Sequence, residues 1–120
     1  QTLFTEKNAK MIADFVDTWN PDKSIVIHCW CGISRSMATA TYVMFNIDQS
    51  NIERNIKYIR SIAPHANPNK LMLTYFENIL QTEGKISKSF DNYPYTKTYD
   101  CENNFAPITL FDIKDMREFK

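Results

Sequence analysis

A cysteine and an arginine that could act on one ligand lie close together in the segment HCWCGISRS, residues 28–36. A cysteine thiolate is a strong nucleophile, and the guanidinium of an arginine is a planar fork of donors that matches two phosphate oxygens. The five residues between Cys29 and Arg35 suffice to curl the chain around a tetrahedral oxyanion, with the sulfur beneath it. The pair therefore indicates a site that holds a phosphate group against a thiolate.

The elements on either side of this loop predict a positively polarised concavity. The apolar run SIVI, residues 24–27, precedes the loop and is typical of a buried strand, while a helix is predicted to begin at Arg35. Unpaired amides at the start of a helix, together with its dipole, attract anions. The same surroundings favour a thiolate, so we expect a lowered pKa for Cys29.

The reaction that fits these groups is displacement at phosphorus. Cys29 would attack the phosphoryl group to form a thiophosphate, which water would then hydrolyse. Arg35 and the loop amides can stabilise the equatorial oxygens, so we expect no metal ion and no other cofactor. Ser36 can donate a hydrogen bond to the departing sulfur, and His28 is expected to fix the loop by hydrogen bonds.

The segment resembles the signature of cysteine-dependent protein tyrosine phosphatases, in the form common in dual-specificity enzymes. HCWCGISRSMATA, followed by IRSIAPHANPN at residues 59–69, is similar to a bacterial group of predicted tyrosine phosphatases. The resemblance covers roughly residues 5–90. It implies Cys29 as nucleophile and Ser36 as support for the thiolate. The phosphate-binding residues that it implies are Trp30, Cys31, Gly32, Ile33, Ser34 and Arg35.

The sequence departs from this family in two ways. The family takes its general acid from an aspartate some thirty or more residues before the nucleophile, and only 28 residues precede Cys29. We expect that aspartate upstream of Gln1 in a longer parent chain, since Asp14, Asp17 and Asp22 are poorly placed to replace it. The second departure is Cys31, where the bacterial relatives carry alanine. We interpret it as a small buried thiol and keep a redox role as the alternative.

Several other functions compete with hydrolysis. Rhodanese-type sulfurtransferases also curl a loop around a cysteine, but their loop is usually one residue shorter. Phosphoinositide phosphatases place lysines in the loop, and this loop has none. A non-catalytic phosphate-binding module, or pseudophosphatase, stays open because the acid is not evident. Trp30 fits a wall for a substrate ring and a lid over the sheet edge equally well.

The composition is typical of one soluble domain. The 120 residues are 43% hydrophobic and carry 14 basic and 14 acidic side chains, so no global charge favours nucleic acid or an anionic membrane. Cys101 stands far from Cys29 and Cys31, and we expect it to be inert, in a reducing cytoplasmic setting. Partners are then a phosphorylated protein or a small aryl phosphate, with the oligomeric state left open.

The periodicity of apolar residues predicts four helices. They run from Thr5 to Trp19, from Arg35 through Phe45, from the capping box SNIE (residues 50–53) to near Ala63, and from Pro68, with Asn67 as N-cap, to before Gly84. The run PITLF, residues 107–111, could be one more strand.

These elements predict an α/β fold, a mostly parallel sheet flanked by helices as in phosphatases, with its N-terminal strands lacking or displaced. One buried strand among four helices needs neighbours. We assign residues 1–90 to a phosphatase-like core, the C-terminal part of the family domain, and residues 91–120 to an extension of unknown role. The predicted function is hydrolysis of phosphotyrosine, extending to phosphoserine or phosphothreonine, through a cysteinyl-phosphate.

Overall fold

A computed structural model describes residues 3–120, which form six helices joined by loops. The helices are α1 (Glu6–Thr18), α2 (Arg35–Ile47), α3 (Ile52–Ile62), α4 (Lys70–Leu80), α5 (Lys85–Asn92) and α6 (Ile113–Glu118). The first two residues of the predicted 1–90 core lie outside the described range, and the boundary at residue 90 stays a prediction. Within that range, none of the helices has the length and apolar character that crossing a bilayer requires.

The four predicted helices are present, and most of their limits differ by only one or two residues. Thr5 is the N-cap of α1, and its hydroxyl and the Asn8 side chain satisfy each other's backbone amides. Asn51, rather than Ser50, caps α3 by accepting a hydrogen bond from an amide of the first turn. Asn69, rather than Asn67, caps α4 in the same way. Asparagine competes well with serine for this position, which explains the shifts.

Helix α2 lies at the centre of the hydrophobic core. Its Tyr42 stacks on Phe76 of α4, with ring centroids 4.7 Å apart, and its Phe45 is completely buried. Ala38, one turn into α2, is also completely buried, so the helix approaches its neighbours closely. The helix that follows the cysteine loop is therefore held on several sides, which fixes the position of its N-terminus.

The predicted parallel sheet is wrong, because residues 3–120 contain no β-strand. Residues 24–27 have the alternation of a strand, since Ile25 and Ile27 pack against the core while Val26 is 87% exposed. Residues 107–111 are mostly exposed, and Ile108 is fully exposed. A strand exists only when its amides and carbonyls pair with a neighbour, and neither segment has one in the described chain. An apolar, β-branched run was therefore insufficient grounds for a buried strand.

Two short helices in the second half of the chain were not predicted. Helix α5 begins after Gly84, whose φ of 80° is left-handed, and the buried carboxylate of Glu77 accepts hydrogen bonds from the first α5 amides. Helix α6 begins at the cap Asp112 and buries Met116 completely in the main core. Both depend on contacts with distant residues, which periodicity does not reveal.

Candidate active site

The loop from Cys29 to Ser34 is held from outside through its carbonyl oxygens. The amides of Asn67 and Asn69 donate to the carbonyls of Ile33 and Ser34, at 2.9 and 3.1 Å. The amide of Ala106 donates to the carbonyl of Cys31 at 3.1 Å. Because these carbonyls point outward to partners, the amides between them are left to face the inside of the loop.

Several of those inward donors converge on the sulfur of Cys29. Its Sγ lies 3.2 Å from the hydroxyl oxygen of Ser36 and 3.3 Å from the amide nitrogen of Gly32. The amides of Ser36 and Cys31 add further hydrogen bonds to the same sulfur. The predicted thiolate support by Ser36 is thus present as a contact, and the side chain of Ser36 is buried, which keeps it in place.

This environment lowers the pKa of Cys29 to about 7. Burial by itself raises the pKa, and the hydrogen bonds from the Ser36 hydroxyl and from the amides of Ser36, Gly32 and Cys31 outweigh it. Cys29 is the free cysteine of the described chain and is partly exposed, so a reagent can reach it. The direction agrees with the expectation from the sequence, and about half of the thiol is ionised near neutral pH.

Arg35 is the first residue of α2, and its guanidinium is exposed. No side-chain hydrogen bond or ion pair between described residues uses it, so its donors can meet a ligand. Ser34, the N-cap of α2, makes no side-chain cap hydrogen bond, which leaves the first amides of the helix without that partner. An exposed arginine and an uncapped helix start next to a low-pKa thiol are groups that could bind a tetrahedral oxyanion.

Gly32 is required by the backbone of the loop. Its φ of 82° lies in the left-handed region, which side chains disfavour, and a Cβ there would come within 3.6 Å of the Ala106 side chain. The turn at Gly32 lets the chain reverse while its amide still points at the sulfur.

Residues 63–69, which hold the loop, are themselves held by Arg60. Its guanidinium donates to the carbonyls of Ala63, Pro64 and Ala66 and to that of Tyr93, at 2.8–3.3 Å. The segment works as a cradle, which we define as residues 63–69, for the outer side of the cysteine loop.

His65 in the cradle is buried, whereas a histidine between two helices is more often a solvated loop residue. Burial, followed by the nearby charges of Arg60 and Lys97, lowers its pKa, while a backbone contact with Gly32 opposes the change. Its ring packs edge-on against Tyr99, with centroids 5.4 Å apart. His65 therefore packs between the cradle and the C-terminal extension, residues 91–120, which we call the tail.

The expectation that Cys101 is inert is wrong, because it forms a disulfide with Cys31 across 70 residues of sequence. Cys31 is accordingly not the free buried thiol that the sequence suggested. The pairing joins the tail to the middle of the cysteine loop, and nothing in the local spacing of the cysteines could reveal it.

Two other predicted residues lie differently from expectation. His28 is exposed, and no hydrogen bond of its side chain is found among the described residues, so the loop is fixed by Asn67 and Asn69 instead. Trp30 is 73% exposed and meets Phe105 of the tail edge-to-face, with centroids 5.7 Å apart. Trp30 cannot cover a sheet edge, as one of its two expected roles required, because residues 3–120 contain no sheet.

The aspartates of the N-terminal part face other surfaces. Asp14 and Asp17 line a groove beside Tyr42, and Asp22 lines a second groove against α6. In residues 3–120 no aspartate side chain makes a hydrogen bond to the cysteine loop. No cluster of three or more metal-ligating side chains occurs in the same range.

Comparison with known proteins gives one informative match. The chain is 35% identical over 77 residues to a protein of Acanthamoeba polyphaga mimivirus named "Putative tyrosine-protein phosphatase". The alignment covers 58% of this chain, and the chain spans 36% of the relative's length. No protein-family model matches the chain, and no solved structure matches it. The match relates this chain to a protein named as a phosphatase, which is the coarse form of the resemblance found in the sequence.

Proposed function

We propose that this chain hydrolyses phosphate monoesters, phosphotyrosine foremost, through a cysteinyl-phosphate on Cys29. The observation that carries the proposal is the convergence of the Ser36 hydroxyl and the loop amides on a sulfur whose pKa is about 7. A thiolate held among anion-binding donors is the arrangement that phosphoryl transfer to sulfur needs. The name of the viral relative supports the same reaction class.

Each group has a defined task in the proposed cycle. Arg35 and the loop amides bind the three non-bridging oxygens and offset their charge as Cys29 attacks phosphorus. The bond to the leaving oxygen breaks, and that oxygen must take a proton. Water then attacks the phosphocysteine, the sulfur leaves as a thiolate, and the hydrogen bond from Ser36 stabilises it. Inorganic phosphate is released and Cys29 is restored.

The test compares substitutions in the two central residues. Cys29→Ser should abolish turnover of an aryl phosphate while leaving binding of inorganic phosphate measurable, because the donors remain. Arg35→Lys should weaken both binding and rate, because an ammonium group cannot replace the bidentate fork. Lys23→Arg, at an exposed residue before the loop, is the control and should behave as the unaltered protein. Full turnover in Cys29→Ser would refute the mechanism.

The alternative is a phosphate-binding module without turnover, which fits a loop to which no aspartate side chain of residues 3–120 makes a hydrogen bond. The same measurements separate the two functions. Binding of inorganic phosphate that depends on Arg35, with no hydrolysis of any aryl phosphate by the unaltered protein, would establish the module and reject the hydrolase.

A further inference from the structure

The tail segment of residues 99–106, which we call the strap, lies along the outside of the cysteine loop. Cys101 is bonded to Cys31, and the amide of Ala106 donates to the carbonyl of the same Cys31. Phe105 meets Trp30, one residue earlier in the loop. The strap therefore contacts the part of the loop that directly follows the nucleophile.

The strap has little of its own to keep it there. Its internal hydrogen bonds are local and converge on Asp100, which accepts from the amides and side chain of the next few residues. Phe105 stays 58% exposed against Trp30, and residues 102–105 are all exposed. Apart from the edge-on contact of Tyr99 with His65 of the cradle, little apolar surface of the strap is buried, so the covalent bond to Cys31 is the main link between the strap and the cysteine loop.

The strap and the cradle hold different parts of the cysteine loop. The cradle holds the carbonyls of Ile33 and Ser34, which lie at the start of α2. The strap holds the carbonyl and side chain of Cys31, in the half of the loop that no helix continues. With both held, the amides of Cys31 and Gly32 point at the Cys29 sulfur. Without the strap, only one half of the loop keeps its outer partners.

We propose that the Cys31–Cys101 disulfide is a redox-sensitive fastening that keeps the cysteine loop in its anion-binding conformation. A dithiol reductant would open it by thiol–disulfide exchange. Two electrons and two protons pass from the dithiol to the pair, which gives two thiols on the protein and a disulfide on the reductant. The proposal deepens the proposed function, since it rests on the cysteine loop being a phosphate site.

Reduction should weaken phosphate binding without destroying the fold. The released strap lets the peptide groups around Cys31 turn away, so that inorganic phosphate loses the contribution of about one hydrogen bond and its Kd rises roughly three- to tenfold. The thiol of Cys29 loses the same support, so its pKa should rise when the strap opens. If the disulfide were purely structural, its reduction would lower the melting temperature and leave the pKa of Cys29 unchanged.

The experiment compares the oxidised protein, the protein reduced with dithiothreitol, and Cys101→Ser in both conditions. The measurements are the Kd for inorganic phosphate by calorimetry and the pH dependence of Cys29 alkylation, with the site assigned by tandem mass spectrometry. Reduced protein and Cys101→Ser should agree with each other, and Cys101→Ser should not respond to the reductant. Glu102→Gln, at an exposed strap residue, is the matched control and should keep the full redox response.

Three results would overturn the proposal. The first is an equal phosphate Kd and Cys29 pKa in oxidised and reduced protein. The second is the absence of a peptide linking Cys31 to Cys101 in the oxidised protein. The third is the loss of cooperative melting in both reduced protein and Cys101→Ser, because the bond would then be needed for folding itself.

Rates of nitrophenyl phosphate hydrolysis in the two redox states, measured beside the phosphate Kd, separate this proposal from the hydrolase. Redox-dependent phosphate binding with no hydrolysis would support the fastening and reject the hydrolase. Cys29-dependent hydrolysis that is equal in the two redox states would support the hydrolase and reject the fastening.

Discussion

At Cys29, two opposing effects act on one sulfur atom. Partial burial favours the neutral thiol, whereas the Ser36 hydroxyl and three backbone amides favour the thiolate, and the second effect prevails. Since hydrogen bonds to an ionised acceptor are roughly twice as strong as neutral ones, small changes in their geometry alter the ionised fraction strongly. Reactivity of the site near neutral pH should therefore depend on Ser36.

We expect alkylation of Cys29 by iodoacetamide to rise with pH through an apparent pKa of about 7. In Ser36→Ala the midpoint should move upward, so that the variant reacts more slowly at pH 6 and approaches the unaltered protein well above pH 8, at which pH most thiols ionise. Because the folded pKa is the lower one, the stability gained from the thiolate is also lost as the pH falls through about 7.

Ser50→Ala is the control for this titration, since Ser50 is an exposed serine that bonds to Asp48 away from the loop. An unchanged midpoint in Ser36→Ala would show that the amides alone hold the thiolate.

Among the elements, the cradle and helix α2 do most to position the site. Helix α2 is fixed by its burial against α4, and the cradle fixes the adjoining half of the loop through Asn67 and Asn69. Arg60 in turn donates to four carbonyls around the cradle, and those of Ala66 and Tyr93 accept no other hydrogen bond between described residues. The order of the site thus depends on a residue that touches no substrate.

Replacing that residue should destabilise the protein and weaken the site together. In Arg60→Met the carbonyls of Ala66 and Tyr93 lose their donor and two others lose one of two, and we expect the free energy of unfolding to fall by about 3 kcal/mol. Urea denaturation measures this loss, and the affinity for inorganic phosphate should fall in the folded fraction. Lys57→Met, on the same helix and without a hydrogen bond between described residues, should change stability by about 0.5 kcal/mol or less. A loss in Arg60→Met no larger than that of the control would contradict the cradle's dependence on Arg60.

The sequence was informative about elements whose signals are local. The apolar spacing between Thr5 and Trp19 was enough to place α1, although Phe15 of that pattern is 64% exposed. Helix α5 was missed because its start depends on the carboxylate of Glu77, several residues away. The strand prediction failed because pairing is a relation between segments, and no partner for residues 24–27 lies in the described chain.

In the candidate site too, local features could be predicted from the sequence and contacts between distant segments could not. The residue types from Cys29 to Ser36 indicated the chemistry, because the loop folds on itself and brings near neighbours in sequence together. The buried state of His65 and the pairing of Cys101 could not be found in this way, since both depend on the tail returning to the loop.

Over the whole molecule, the tail connects the cysteine loop with helix α3 and the turn before that helix. The amide of Asp112 donates to the hydroxyl of Tyr58 at 2.8 Å, and Arg117 pairs with Asp48 at 2.9 Å, so the end of the described chain is anchored on α3 and the turn before it. This return path carries residues 99–106 across the cysteine loop. Asp14 and Asp17 line a groove beside Tyr42 whose lining does not include Cys29.

We therefore expect hydrolysis by this 120-residue chain to depend steeply on the leaving group. Nitrophenol departs with little protonation, whereas a tyrosine phenol, with a pKa of about 10, needs a proton donor that is typically worth on the order of 10² to 10⁴ in rate. Single-turnover rates for a series of substituted phenyl phosphates measure this dependence. A flat dependence with efficient phosphotyrosine cleavage would mean that an acid is present, and Asp14, Asp17, Asp22, Asp112 and Asp115 would be replaced one at a time to find it.

The central claim is that phosphorus becomes bonded to the sulfur of Cys29, and trapping that bond tests it most directly. The unaltered protein and Ser36→Ala are mixed with nitrophenyl phosphate, quenched in acid and digested, and the phosphorylated peptide is located by tandem mass spectrometry. We predict a phosphoryl group on Cys29, with more of it in Ser36→Ala because departure of the sulfur is slowed. Release of nitrophenol with no phosphoryl group on Cys29 in either protein, or with equal release by Cys29→Ser, would contradict the account.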